Sequence, residues 1–92
     1  MMIDQRMIDY AQLLCTATRN DPRIRLGLGP DHAEKIIDLA KRAAIDSHRT
    51  WITPADIKAV FKTYPRGKMF CVDDAPEVDV VIAHVLNNVA VP

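Results

Sequence analysis

The side chains that could catalyse a reaction or bind a metal are few and widely spaced. His32, His48 and His84 show no HxxxH or HExxH spacing, so the sequence predicts no metal site. Cys15 and Cys71 form no CxxC pair, which argues against a zinc ribbon or a thioredoxin-like site. Both cysteines lie among apolar residues, and we expect them to be buried free thiols.

A nucleophile paired with a base is equally hard to find. The chain contains neither GxSxG nor a cysteine-protease signature. Ser47 and His48 are neighbours on a predicted helix, so their side chains project in different directions and cannot form a dyad. We predict no catalytic residue and no activity for this chain alone.

Phosphate binding has one partial signal. No GxxxxGK[ST] motif occurs, so the chain has no Walker A loop. The stretch from Gly27 to Pro30 leads into a predicted helix, whose N-terminus presents free N–H groups and a positive dipole to anions. The same stretch also fits a simple turn before a helix that begins with proline.

Four amphipathic segments would have to position these residues. Apolar side chains recur at spacings of three and four, which is typical of helices with one buried face. The predicted helices run from Ile3 to about Arg19, from Pro30 to about His48, from Thr53 to Pro65 and from about Ala75 to Asn88.

Irregular connectors should join these helices. We therefore predict one all-α domain over residues 1–92, a small four-helix bundle. Its expected core comprises Met7, Tyr10, Leu14, Ile36, Ile37, Ala40, Ile57, Val60, Phe61, Val81 and Val85.

Two helix starts carry capping signals. Thr53 suits an N-cap, with Pro54 at the first helical position and Asp56 at the third. Helix capping is also the expected role of a second set of acids, Asp73, Asp74, Glu77 and Asp79. We expect Trp51, which lies between two helices, to fill the core at their junction rather than to serve as a docking anchor.

Composition narrows the class of protein. The 92 residues carry no net charge and 49% are hydrophobic, which fits one domain with a small core. A nucleic-acid binder usually has a basic excess, so nucleic acid is a disfavoured partner. The N-terminal residues lack a signal-peptide apolar region, and no apolar run approaches the ~20 residues of a membrane span. We expect a soluble, cytoplasmic protein with no membrane partner.

Several fragments stand in the order known from one family. They are Asp9-Tyr10, Ala17-Thr18-Arg19, Arg25-Leu26-Gly27, Gly29-Pro30, Thr50 to Ile57, and the ending Val89-Ala90-Val91-Pro92. This order resembles the C-terminal helical lid of MoxR-type AAA+ ATPases. In that family a DY-bearing helix ends in ATR, a stretch like RLGASPRA opens the next helix, and a phrase like DYVTPEDV opens the one after it. The resemblance covers roughly residues 7–92.

The resemblance implies a mechanical function. In these ATPases the nucleotide lies between an α/β P-loop domain and the lid, subunits pack as homo-oligomeric rings, and the work is chaperone-like maturation of other proteins. Some partners carry a von Willebrand A-like domain. This chain would then be the C-terminal part of a longer ATPase, with Met1 as an added or internal start. It would bind no cofactor alone, whereas the full-length protein would use ATP and Mg²⁺.

One position departs from the family pattern. The SPRA stretch of the family carries the sensor-2 arginine, whose charge reaches the γ-phosphate. Alignment on Pro30 places Asp31 at that position. The resemblance therefore assigns Gly29, Pro30 and Asp31 to the nucleotide-facing site, with Arg25 beside them and Arg23 as a second replacement cation.

Two other classes of function remain open from the sequence. A small helical nucleic-acid-binding or histone-like adaptor would use a helix–turn–helix around Ser47 to Ile57, although the neutral charge and the acidic last helix oppose it. A stand-alone small enzyme would need a catalytic constellation that the sequence does not show. A salt-dependent gel shift with duplex DNA would distinguish the adaptor from the lid.

Overall fold

Four helices and two short strands make up the chain in a computed structural model that describes residues 1–92. In chain order the elements are α1 (Gln5–Asn20), β1 (Ile24–Leu26), α2 (Asp31–Asp46), α3 (Pro54–Phe61), β2 (Phe70–Cys71) and α4 (Val78–Asn88). The protein is mostly helical, as predicted from the apolar spacing. None of the four helices has the length and apolar character that crossing a membrane requires.

The strand pair corrects the prediction of an all-α fold with irregular connectors. β1 and β2 are antiparallel, with Ile24 opposite Cys71 and Leu26 opposite Phe70. Two steps along β1 thus correspond to one step along β2, which places Arg25 in a bulge. The strands are too short to show an alternating pattern in the sequence, and their pairing depends on contacts distant along the chain.

The helices enclose one core. Every predicted core side chain is buried except Val60, which is half-buried. α2 packs on both α1 and α3, and α4 packs on α1 and α3. Connecting segments contribute further buried side chains, namely Ile24, Leu28, Ile52, Tyr64 and Met69.

Trp51 does not fill the core, contrary to the prediction. Its side chain is 56% exposed, whereas the adjacent Ile52 is buried. Arg49 fixes this connection, because its guanidinium donates to the carbonyl oxygen of Trp51 at 3.3 Å and to the carboxylate of Asp56 at 2.7 and 2.8 Å. Ile52 therefore joins the core at this connection, and the larger indole lies at the surface.

The acids before α4 do not cap it, which is a third correction. α4 begins three residues later than predicted, and Glu77 at the N-cap makes no side-chain hydrogen bond to the helix. Asp73 and Asp74 are exposed, and the turn they occupy is closed by the N–H of Ala75 donating to the carbonyl of Val72 at 3.1 Å. Asp79 lies in the first turn of α4 and also forms an ion pair with Arg66.

Candidate functional site at the start of α2

The turn that leads into α2 is bound to the end of α1 by two side chains. The Thr18 hydroxyl donates to the carbonyl of Cys15 at 2.6 Å and accepts from the N–H of Leu28 at 2.9 Å. The Arg19 guanidinium donates to the carbonyl of Leu28 at 2.6 Å. Because Thr18 and Leu28 are fully buried, these bonds satisfy polar groups that would be costly to leave unpaired. The start of α2 is therefore held in a fixed position against α1.

Gly27 permits this close approach. A Cβ atom at Gly27 would lie 2.7 Å from the backbone nitrogen of Arg19 and 2.8 Å from the carbonyl carbon of Thr18. Both contacts are with backbone atoms, which cannot move aside as a flexible side chain could. A side chain at this position would push the turn away from α1.

The first turn of α2 has few free donors. α2 begins at Asp31, one residue later than predicted, so Pro30 is the N-cap, and it makes no side-chain cap. The N–H of His32 donates to the carbonyl of Gly29 at 3.1 Å, and the N–H of Ala33 donates to the carbonyl of Pro30 at 3.2 Å. The N–H of Asp31 has no backbone acceptor. The site therefore offers fewer free N–H donors to an anion than an ordinary helix N-terminus does.

The charge of this turn is negative. Asp31 and Glu34 both lie in the first turn, both are exposed, and neither forms an ion pair. Their carboxylates interact favourably with the positive end of the helix dipole, but they repel a phosphate. Gly29, Pro30 and Asp31, which the resemblance assigns to the nucleotide-facing site, thus lie in a turn whose charge opposes phosphate binding.

The two candidate replacement arginines have different surroundings. Arg23 forms an ion pair with Asp21 at 2.7 Å, and this carboxylate raises the pKa of the guanidinium. Arg25 is exposed in the β1 bulge, and no hydrogen bond or ion pair links it to the start of α2. Arg19 contacts the turn directly and has no carboxylate partner. Sequence reasoning did not assign Arg19 to the site, although it lies in the ATR fragment.

A second contact that the sequence did not reveal joins α2 to the end of α3. The His32 Nδ1 atom and the Tyr64 hydroxyl are 2.8 Å apart, and their rings meet edge to face at 5.7 Å. The Lys68 ammonium lies 4.5 Å from the centre of the Tyr64 ring, within cation–π distance. Burial is the main cause of the raised pKa of Tyr64, with Cys15 and Asp31 adding to it.

The cysteines offer no reactive thiol at this site. Cys15 is fully buried in α1, and burial raises the pKa of its thiol to about 11. At neutral pH it is therefore protonated and a poor nucleophile. Cys71 is half-buried rather than buried as predicted.

The remaining candidates are the three histidines and the segment proposed as a helix–turn–helix. His32, His48 and His84 lie in the first turn of α2, just after α2 and in α4, and no group of three suitable side chains comes together. In the segment proposed as a helix–turn–helix, Arg49 is bound through two bonds to Asp56. It is thus already paired, rather than free for a nucleic-acid phosphate.

Comparisons of the chain with known protein families, with curated proteins and with solved structures gave no match.

Proposed function

We propose that this chain is the C-terminal lid of a MoxR-type AAA+ ATPase, and that its helices form the four-helix, lid-like bundle of that family. The preceding part of the protein would supply the P-loop domain, the Walker motifs and the Mg²⁺ site. The full-length protein would form a homo-oligomeric ring that drives chaperone-like maturation of other proteins, some with a von Willebrand A-like domain.

The observation that carries the proposal is the contact between one fragment of the resemblance and the residue that joins two others. Thr18 and Arg19, from the ATR fragment, hold both backbone groups of Leu28, which lies between RLG and GP. Fragments separated along the chain therefore meet around the start of α2. A lid that transmits a nucleotide-driven movement needs such a stiff link, because a loose one would absorb the displacement.

The capping box of α3 supports the same proposal. Thr53 accepts from the N–H of Asp56 at 3.4 Å, and the Asp56 carboxylate accepts from the N–H of Thr53 at 2.8 Å. These residues belong to the TPxD fragment, and the resembling phrase in the family also opens a helix.

Asp31 gives the proposed lid a distinct property. A negative residue replaces the family's sensor-2 arginine in a turn that also contains Glu34. Closure would then depend on contacts other than attraction of the γ-phosphate to that position. We therefore propose a lid whose coupling to nucleotide is weak or uses another cation, such as Arg19 or Arg25.

A domain exchange tests the proposal. Residues 4–92 would replace the lid of a MoxR-type ATPase whose ring assembly and ATP turnover are measurable. We expect the chimera to assemble into rings with low turnover, and Asp31→Arg to raise that turnover. Glu34→Arg is the matched control, since it makes the same charge change in the same turn away from the aligned position. Failure to assemble, or an equal gain from both variants, would overturn the proposal.

A further inference from the structure

The outer edge of β2 is a strand edge with no partner of its own. β1 lies against α1 on one side and β2 on the other, and no helix covers β2 to a comparable extent. Such an edge presents backbone groups that can pair with another strand. The direction of its free backbone groups and the side chains beside it determine which strand can pair with this edge.

The hydrogen-bond pattern shows where the backbone of Cys71 points. The N–H of Val72 donates to the carbonyl of Arg23 at 2.9 Å, and these residues flank the opposed pair of Ile24 and Cys71. In an antiparallel ladder this arrangement defines a non-hydrogen-bonded pair. The N–H and C=O of Cys71 therefore point away from β1, toward the open edge.

The surface beside this edge is apolar. Leu26 and Phe70 stand opposite each other and are 56% and 50% exposed. The bulge at Arg25 explains why Leu26 faces outward although Ile24, two residues earlier, is buried. Natural sheet edges are usually protected by charged side chains, whereas here the exposed strand residue is a phenylalanine.

We propose that β2 pairs antiparallel with β2 of a second copy of this chain, around a two-fold axis at Cys71. The outward N–H and C=O of Cys71 in one copy would bond to those of Cys71 in the other. The product is a four-stranded sheet in the order β1–β2–β2–β1. This inference does not depend on the proposed ATPase function, and the two can fail separately.

The charges along this edge are complementary to those along the same edge of a second copy. Antiparallel pairing around Cys71 sets Phe70 opposite Val72 of the other copy. Lys68 and Asp74 lie in the turns before and after β2, so the turn that contains Lys68 in one copy lies beside the turn that contains Asp74 in the other. Lys68 and Asp74 are exposed, and neither has an ion-pair partner within its own chain. The two-fold axis makes the contact twice, as in any interface between identical surfaces.

The apolar residues also fit. A two-fold axis perpendicular to the sheet keeps the same face up in both copies. The two Phe70 rings are then diagonal neighbours, within reach of each other, and Leu26 flanks each of them. The joined surface is a continuous strip of four apolar side chains.

Two variants at Cys71 test the strand pairing. Mass is measured by light scattering over a wide range of chain concentration, and we expect it to rise from 10.3 kDa toward twice that value. Cys71→Val keeps the outward N–H and should still dimerise. Cys71→Pro removes that N–H without touching the ladder to β1, so it should stay monomeric with unchanged helicity. A wild type that is monomeric throughout, or equal association of the two variants, would overturn the proposal.

A charge exchange tests the register. Lys68→Glu and Asp74→Lys should each weaken self-association roughly tenfold, because like charges then face each other twice. An equimolar mixture of the two variants should dimerise like the wild type, since both contacts in the mixed dimer regain opposite charges. A mixture that associates no better than either variant alone would contradict the pairing of Lys68 with Asp74.

Discussion

The guanidinium of Arg49 binds both carboxylate oxygens of Asp56, at 2.8 and 2.7 Å, across the connection between α2 and α3. The same carboxylate accepts from the N–H of Thr53 at 2.8 Å and closes the capping box of α3. Asp56 is buried, so it is in place to stabilise the helix start and the approach of the two helices together. Its ionisation should therefore affect the stability of the whole domain.

Acid should destabilise the wild type through Asp56. The hydrogen bonds from Arg49 are the main reason that the pKa of this carboxyl is lowered from 3.8 to about 2. A carboxyl group whose pKa is lowered by folding stabilises the native state at pH values above its unfolded-state pKa. This stabilisation is lost as the pH falls from about 5 to about 2. We expect Asp56→Asn to cost roughly 1–2 kcal/mol at pH 7, allowing for solvent screening of the pair, and to flatten this pH dependence.

The check is urea unfolding between pH 2 and pH 7. Asp38→Asn serves as the control, because its contact with Lys41 is 3.8 Å long and exposed, and it should change stability by less than about 0.5 kcal/mol. An Asp56→Asn variant with the wild-type pH slope would show that this ion pair does not couple folding to pH.

Replacing Phe61 by alanine should destabilise the core strongly. Phe61 is fully buried, and truncation removes apolar contacts and leaves a cavity. We expect a loss of about 3–5 kcal/mol in the free energy of unfolding. The neighbouring Lys62→Ala is the control, since Lys62 is exposed and should change stability by less than about 0.5 kcal/mol. Chemical denaturation measures both, and a loss under about 1 kcal/mol for Phe61→Ala would contradict its place in the core.

Local sequence signals predicted the parts of the fold that depend on nearby residues. Thr53, Pro54 and Asp56 lie within four positions, and together they define the start of α3 as the structure has it. The core positions of α1 and α2 were also predictable, because helical spacing alone determines which side chains share a face.

Features that depend on distant contacts were not predictable in this way. Trp51 was expected in the core because tryptophan is large and apolar, but the adjacent Ile52 is buried and Trp51 is exposed. The partner of β1 lies more than forty residues along the chain, and no sequence pattern links Ile24 to Cys71. The contact of Arg19 with Leu28 likewise needs the turn at Gly27 to be known first.

A side chain at Gly27 should cost more than one at Gly67. Gly27→Ala would place Cβ against the backbone of Arg19 at 2.7 Å and force the turn away from α1, at an expected cost of about 1–3 kcal/mol or more. Gly67 has a φ of 76° but open space around it, so Gly67→Ala should cost about 1–2 kcal/mol from backbone strain alone. Stability is measured by thermal and urea unfolding. Hydrogen exchange distinguishes the two causes, since only Gly27→Ala should lower the protection of the Leu28 amide.

Thr53 should contribute to stability through its side-chain oxygen. Thr53→Ala removes the hydroxyl that accepts from the N–H of Asp56, and the expected loss is roughly 1 kcal/mol. Thr53→Ser keeps the hydroxyl and should lose much less. Equal losses for the two variants in urea unfolding would show that the methyl group, rather than the cap, is responsible.

The chain alone should bind ATP with no useful affinity. A dissociation constant of 1 mM already requires about 4 kcal/mol. Without a Walker A loop, the attraction left is that of the α2 N-terminus, worth about 0.3–1 kcal/mol per exposed charge. The N–H groups of His32 and Ala33 are already bonded within the turn, and the carboxylate of Asp31 repels phosphate.

Calorimetric titration with ATP and Mg²⁺ should therefore give no saturable heat below millimolar concentrations. Asp31→Arg removes the repulsion but adds only one cation, so it too should stay outside the micromolar range. Saturable micromolar binding by the wild type would mean that this chain holds nucleotide through groups other than the start of α2.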